Sequence, residues 1–244
     1  MKDKLMKSFS CLCIILVFIL VVLIAKKTDV TMDNYMILGE RIGNNQHENF
    51  FMERVDEKVI KTSNSTFTLE HISSGQMLKM LQENVSKKIN GEFVQIKDVI
   101  QKSNCISLFA GNSDFVDKIK IDPQTKTATY DYDVLNRQVD ITVMNICNIV
   151  EEIRLYNSYC DIILASAFFP YYDLNQSQYQ EIISIFCSLN RSLQEICQET
   201  NLYFLDIGLL NNSNYLNENT YTINDEGSQY LGEKIFHCAI DKIC

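Results

Sequence analysis

Short unbroken apolar runs alternate along this chain with longer stretches in which apolar residues return every third or fourth position. The runs are Tyr35 to Leu38, Cys105 to Ala110, Asp161 to Ala167 and Leu202 to Ile207, with a weaker, alternating one from Thr66 to His71. Runs of this length bounded by turn residues suit strands buried on both faces of a parallel sheet. The longer stretches predict helices. His47 to Val59 carries Phe51, Val55 and Val59 at four-residue spacing, and a second stripe runs through Leu78, Leu81, Val85 and Ile89 to end at Asn90-Gly91. Ile96, Val99 and Ile100 suggest a short helix. Asp133 to Tyr156 turns Leu135, Val139, Ile146, Val150 and Ile153 to one side, and Gln176 to Glu199 does the same with Tyr179, Ile183, Phe186, Leu193 and Cys197. Asn224 is placed to cap a last helix with Tyr230, Leu231, Ile235 and Cys238 inward.

Five strands alternating with helices predict a three-layer α/β/α sandwich around a five-stranded parallel sheet. In such a sheet ligands bind where strands end at their carboxyl edge, and Tyr35-Met-Ile-Leu-Gly-Glu-Arg-Ile-Gly43 reads as the first of those ends. Residues 118–132 break the alternation: Lys-Ile-Lys-Ile-Asp, then Pro-Gln-Thr-Lys, then Thr-Ala-Thr-Tyr predict a hairpin, taken as a surface insertion.

The amino-terminal segment changes the picture. Ser8 to Ala25 contains no charged residue and is just long enough as a helix to cross a hydrocarbon core. It ends Leu23-Ile24-Ala25-Lys26-Lys27 without the small-residue pattern of a cleavage site, which favours an uncleaved signal anchor over a cleaved peptide. A short flank before it and a long domain behind it favour a cytoplasmic amino terminus. The expected organisation is therefore a cytoplasmic segment 1–7, a single-pass plasma-membrane anchor 8–25, a linker 26–33 and one extracytoplasmic domain 34–244.

Charge and cysteines narrow the function classes. Of 244 residues 46% are hydrophobic, and the formal net charge is −9. Residues 1–27 hold five lysines against Asp3, a local +4, so the remainder carries −13. A body this acidic has no electrostatic basis for gripping nucleic acid or anionic lipid, and phosphate-rich polymers are disfavoured too. Neutral or amino-sugar envelope glycans, or a protein partner, fit better. Seven cysteines follow the anchor (Cys105, Cys147, Cys160, Cys187, Cys197, Cys238 and Cys244), without a C-x-x-C pair or a Cys/His cluster, so neither a zinc site nor any cofactor is expected. Most sit in apolar runs and read as buried small hydrophobes, with a disulfide left open.

Three stretches together resemble one family. Ile37-Leu-Gly-Glu-Arg-Ile42 is similar to the G-D-S-L block of SGNH (GDSL-type) hydrolases; Ile106 to Phe115 looks like their apolar strand running into G-x-N-D; Thr222-Ile-Asn-Asp-Glu-Gly-Ser-Gln-Tyr230 resembles the block D-x-x-H-P-N-x-x-G-Y that opens the last helix. The resemblance covers residues 34–240 and implies a flavodoxin-like layered fold with an acyl-ester site at the sheet's carboxyl edge. The family's working letters do not carry over. Glu40 stands for the aspartate of G-D-S, and Arg41 falls where the nucleophilic serine belongs, a guanidinium that stays protonated and cannot attack a carbonyl. Ser113 falls on the oxyanion asparagine, between the retained Gly111 and Asp114. Thr222 falls on the histidine and Asn219 on the aspartate three residues before it. The second-block glycine position stays unassigned, since Gly75, Ile72 and Ser73 align about equally with it.

No residue is assigned a catalytic role on this pattern. The degenerate positions are Glu40, Arg41, Gly111, Ser113, Asp114, Asn219 and Thr222, and no metal is expected. The reading is a membrane-held, catalytically silent SGNH-like domain that binds or assembles at the cell envelope. The alternative is a weak esterase or deacetylase with a displaced nucleophile: only His47, His71 and His237 are available, and Ser73 and Ser74 near His71 are the sole local Ser/His grouping. Arg41 either receives an anion or pairs with Glu40 or Asp114. The hairpin at 118–132 and the aromatic cluster Phe168, Phe169, Tyr171 and Tyr172 are candidate contact surfaces, the latter also readable as core.

Overall fold

The computed structural model describes residues 34–41, 63–69, 71–89, 92–122, 124–171, 173–217 and 222–243. In chain order the elements are β1 (Asn34–Glu40), β2 (Ser63–Leu69), α1 (Ser74–Gln82), β3 (Ser86–Ile89), β4 (Glu92–Gln95), α2 (Ile96–Lys102), β5 (Cys105–Phe109), α3 (Ser113–Val116), β6 (Lys120–Asp122), β7 (Thr127–Thr129), α4 (Tyr132–Tyr156), β8 (Asp161–Ala165), α5 (Gln176–Thr200), β9 (Tyr203–Leu205) and α6 (Asp225–Ile243). Five strands form one sheet in the order β2-β1-β5-β8-β9, and every adjacent pair is parallel.

The unbroken apolar runs are explained by what each face of the sheet meets. Met36 and Leu38 of β1, Ile106 and Leu108 of β5, and Ile162 and Leu164 of β8 join one cluster with α1, α2, α4 and α5. Tyr35 and Ile37, Cys105 and Phe109, Ile163 and Ala165 join the other, under Leu231, Ile235 and Ala239 of α6. A strand covered on both sides cannot alternate polar with apolar, since each fully buried Ile or Leu is worth roughly 1.5–3 kcal/mol. Ser107, the polar exception, accepts a hydrogen bond from the buried Tyr35 hydroxyl at 2.6 Å. Gly39 is required where β1 and β5 run closest. Its φ is +121°, and a Cβ there would stand 1.9 Å from the Phe109 carbonyl oxygen.

Three expectations change. The helix expected to carry Val85 and Ile89 ends at Gln82, and those residues instead enter an antiparallel hairpin, β3–β4. Asn84 makes the difference: it takes the left-handed conformation at φ +52°, while its side chain bonds Gln95 and the Lys97 backbone N–H, fixing the base of the hairpin. The Asn90-Gly91 pair, read from sequence as a helix end, is equally the strongest short-range hairpin signal. Second, the β6–β7 hairpin forms as expected but is tied to the domain more closely than a surface insertion requires. Ile119 and Ala128 are buried, the Gln178 side chain bonds both the N–H and the carbonyl of Ala128, Tyr130 donates to Glu181, and Lys126 pairs with Asp173 at 2.7 Å. Third, the aromatic group after β8 is core rather than contact surface at Phe169, whose ring packs on Tyr171, Tyr179 and Phe186.

Cys105, Cys147, Cys160, Cys187, Cys197 and Cys238 are thiols. Among the described residues no helix is long and apolar enough to cross a membrane. The expected anchor at 8–25 and the helix expected over His47–Val59 lie outside the described residues, as does Tyr172.

Candidate functional site

The site is built on the carboxyl ends of β1 and β5. Glu40, the last residue of β1, is buried, and its Oε1 accepts two backbone hydrogen bonds, from Gly111 N–H at 3.1 Å and Ser113 N–H at 2.8 Å. Both donors converge on one oxygen because Gly111, at φ +112°, turns the chain after β5 back over the end of β1 before α3 begins. Asn112, between the two donors, accepts from the Phe168 N–H at 2.8 Å and so ties in the segment after β8. Burial pushes the Glu40 carboxyl up to about 8; the nearby Asp114 charge adds to the rise, and the Ser113 N–H, the Asn112 side chain and the Gly111 N–H hold it down. Burial thus favours the neutral acid over the carboxylate at Glu40, with one oxygen in a two-amide cradle.

A second polar group lies beside it. Asp114 accepts from the Ser74 hydroxyl at 2.8 Å and the Ser74 N–H at 3.0 Å, which satisfies the first turn of α1. Asn145 donates to the Ser74 hydroxyl, and Gln138 reaches both Asp114 and Thr142. Burial raises the Asp114 carboxyl, opposed first by the Ser74 bonds and then by Lys118 and Thr142. Sequence reasoning missed Gln138, Thr142 and Asn145. The first two were legible as polar residues sitting on the otherwise apolar inward stripe of α4, both buried.

The degenerate positions divide in two. Glu40, Gly111, Ser113 and Asp114 come together as described. Arg41 is exposed at the rim, and its own N–H donates to the Leu69 carbonyl; the groups acting on Glu40 are backbone amides, Asn112 and Asp114. Thr222 belongs to the turn before α6, where Asn217 bonds its carbonyl and hydroxyl and Leu216 pairs with Ile223. Asn217, Ile223, Asn224, Asp225 and Glu226 line a shallow cleft there, and Asn224 caps α6 through the Gly227 N–H as expected. Asn219 lies outside the described residues.

The displaced serines have structural employment. Ser73 is the N-cap of α1 in a reciprocal capping box with Gln76, and Ser74 is fully buried between Asp114 and Asn145. His71 is exposed at φ +52° after β2, and His237 is exposed on α6 against the Phe236 ring. Acyl transfer needs a nucleophile within hydrogen-bond reach of a base. Ser73 bonds Gln76, which is no base; Ser74 does donate to a carboxylate, Asp114, but with Asn145 as its other partner it is fully buried and closed to an incoming acyl group.

No protein-family model matches this sequence, and no curated protein is similar to it by sequence. The fold has clear counterparts. A lipase from a goat rumen metagenome superposes with a TM-score of 0.65 at 14% identity, over 87% of this chain and 100% of that one. An extracellular lipase from Streptomyces rimosus gives 0.61 at 10% identity, over 87% and 100%. A GDSL-like lipase from Bacteroides thetaiotaomicron gives 0.52 at 15% identity, over 90% and 96%. At these identities the likeness is one of architecture: the chain has an SGNH hydrolase-like fold.

Proposed function

We propose that this protein is a membrane-anchored, extracytoplasmic SGNH-like domain in which the family's catalytic positions serve the fold, and that it binds or assembles at the cell envelope without cleaving. The observation that carries the reading is the Glu40 carboxyl oxygen seated on the Gly111 and Ser113 amides. The turn at the head of β5 spends its donors on the protein's own side chain, one residue before the position where the resemblance expects a nucleophile and Arg41 stands. Anchoring rests on the uncharged Ser8–Ala25 segment, and the −13 charge of the remainder favours a neutral or amino-sugar glycan, or a protein, over a polyanion.

The three structural counterparts named above are lipases, which keeps a weak esterase or deacetylase as the rival reading. Against it stand the capping box that holds Ser73 and the Asp114 contact that buries Ser74. Two measurements separate the readings. The purified full chain is assayed for hydrolysis of p-nitrophenyl acetate, with Ser73→Ala, Ser74→Ala and His71→Ala beside it. Turnover abolished by any of the three overturns the silent-domain reading. Pulldown with envelope glycans, comparing the wild type with Arg41→Ala, then asks whether the exposed guanidinium takes part; equal retention removes Arg41 from the ligand site.

A further inference from the structure

The parallel sheet has two chemically different edges. The carboxyl edge carries Glu40, Gly111 and the turn before α6. The amino edge is where β1 starts at Asn34, and where α2 and α4 run out at Lys102 and Tyr156 before β5 and β8 begin. Between α4 and β8 lies a turn built with unusual care. Asn157 accepts from the N–H groups of Tyr159 and Cys160 and donates to the Ile100 and Ser103 carbonyls. Arg154 donates to the carbonyls of Ser158 and Cys160. What this braced turn holds out is Tyr159, 95% exposed and the most exposed large apolar residue in the described chain, next to Leu155 at 75%. A turn fastened by six hydrogen bonds does not leave an aromatic ring in water for want of rigidity. Lys102 is exposed on the same edge, and Lys97 lies over the Tyr156 ring at 4.4 Å.

The chain outside the described residues says what faces this edge. The uncharged segment ends at Ala25, and only residues 26–33 separate it from the first residue of β1. Eight residues reach at most about 29 Å when fully extended, and a flexible linker of that length averages roughly 16 Å end to end. The seven residues of β1 alone measure roughly 23 Å. Bringing the carboxyl edge down to the bilayer would demand a taut linker running alongside the whole domain.

We propose that the amino edge of the sheet rests on the lipid headgroups of the bilayer that holds residues 8–25, with Tyr159 and Leu155 reaching into the interface, so that the carboxyl edge and its cleft face the aqueous space. Tyrosine suits that position because its ring is apolar and its hydroxyl is wet. The orientation rests on the anchored reading above and refines it: ligands reach the candidate site from the aqueous envelope rather than from the membrane lipid.

The chain contains no tryptophan, so one introduced tryptophan is a single reporter. Tyr159→Trp, Leu155→Trp and, at the opposite edge, Leu209→Trp (64% exposed after β9) are each made in the full chain and reconstituted into zwitterionic phosphatidylcholine vesicles with brominated acyl chains. Flotation after alkaline extraction is scored first. Vesicle-bound protein in which the 159 and 155 reporters lose most of their emission while the 209 reporter keeps nearly all of its own supports the proposal. Vesicle-bound protein in which neither edge is quenched, or in which 209 is quenched as strongly as 159, overturns it with the anchor intact. Protein released by alkali refutes the anchor itself, and the apposition with it.

Discussion

Replacing Glu40 by glutamine tests the central feature of the site directly. The Glu40 carboxyl ordinarily titrates near 4.5 and is raised by burial to about 8 in the folded protein. Across the window between those values the folded state holds a proton that the unfolded chain has released. Stability then falls as pH rises, by about 1.4 kcal/mol per pH unit for one such group. The contribution is fully present below 4.5 and has been lost by the time pH passes 8. Between pH 5 and 7.5 it amounts to about 3 kcal/mol, a large share of the roughly 5–15 kcal/mol that holds a domain folded. Glutamine keeps a carbonyl oxygen for the Gly111 and Ser113 amides but cannot ionise. Asp114, also raised by burial, acts on Glu40, so the difference between the two proteins reports residue 40 together with its coupling to Asp114. Urea denaturation of the two full chains, followed by circular dichroism at half-unit steps from pH 5 to 8.5, should give lines that diverge. Glu40→Gln loses less stability per pH unit and is the more stable protein at the alkaline end. Parallel lines would mean that Glu40 is ionised in the folded protein at neutral pH, and the account of a neutral acid in an amide cradle would be wrong.

Ser74→Ala removes a hydroxyl that is fully buried between Asp114 and Asn145, and should cost about 1–3 kcal/mol, read as a lower urea midpoint with an unchanged slope. Gly39→Ala and Gly111→Ala both place a side chain at positive φ, but only the first meets backbone, at 1.9 Å against a nearest atom at 3.5 Å for the second. The strain of the left-handed conformation alone costs about 1–2 kcal/mol, so Gly111→Ala should fold with a reduced midpoint while Gly39→Ala should yield little folded protein. Gln178→Ala deletes both side-chain bonds to Ala128, and amide hydrogen exchange in residues 127–129 should quicken well before exchange in β5 or β8.

The fold was legible because burial writes itself into composition at short range. A strand packed on both faces must be apolar throughout, so Cys105 to Phe109 and Asp161 to Ala165 announce themselves. The long helices do the same through their stripe, and α4 was bounded from sequence to within one residue. Periodicity failed at Asn84, where one side chain bonding Gln95 and the Lys97 N–H converted the continuation of a helix into a strand. The hairpin within 118–132 was legible, but not its ties to the domain, because its anchors, Gln178 and Glu181, lie some fifty residues away.

From residues alone came the order of strands and helices along the chain, the parallel sheet and the resemblance that sets Arg41, Ser113 and Thr222 at the positions of a serine, an asparagine and a histidine. Tertiary structure alone decided which polar groups meet: Glu40 with amides 71 and 73 residues further on, and Ser74 with Asp114 across 40. It also decided that Arg41 stays at the rim, and that burial drives the Glu40 carboxyl upward. Apolar burial depends on how much surface a segment hides, which its own residues reveal. A hydrogen bond or a shifted carboxyl depends on which distant atom arrives within about 3 Å and on how much water is excluded when it does, and neither quantity has a period along the chain.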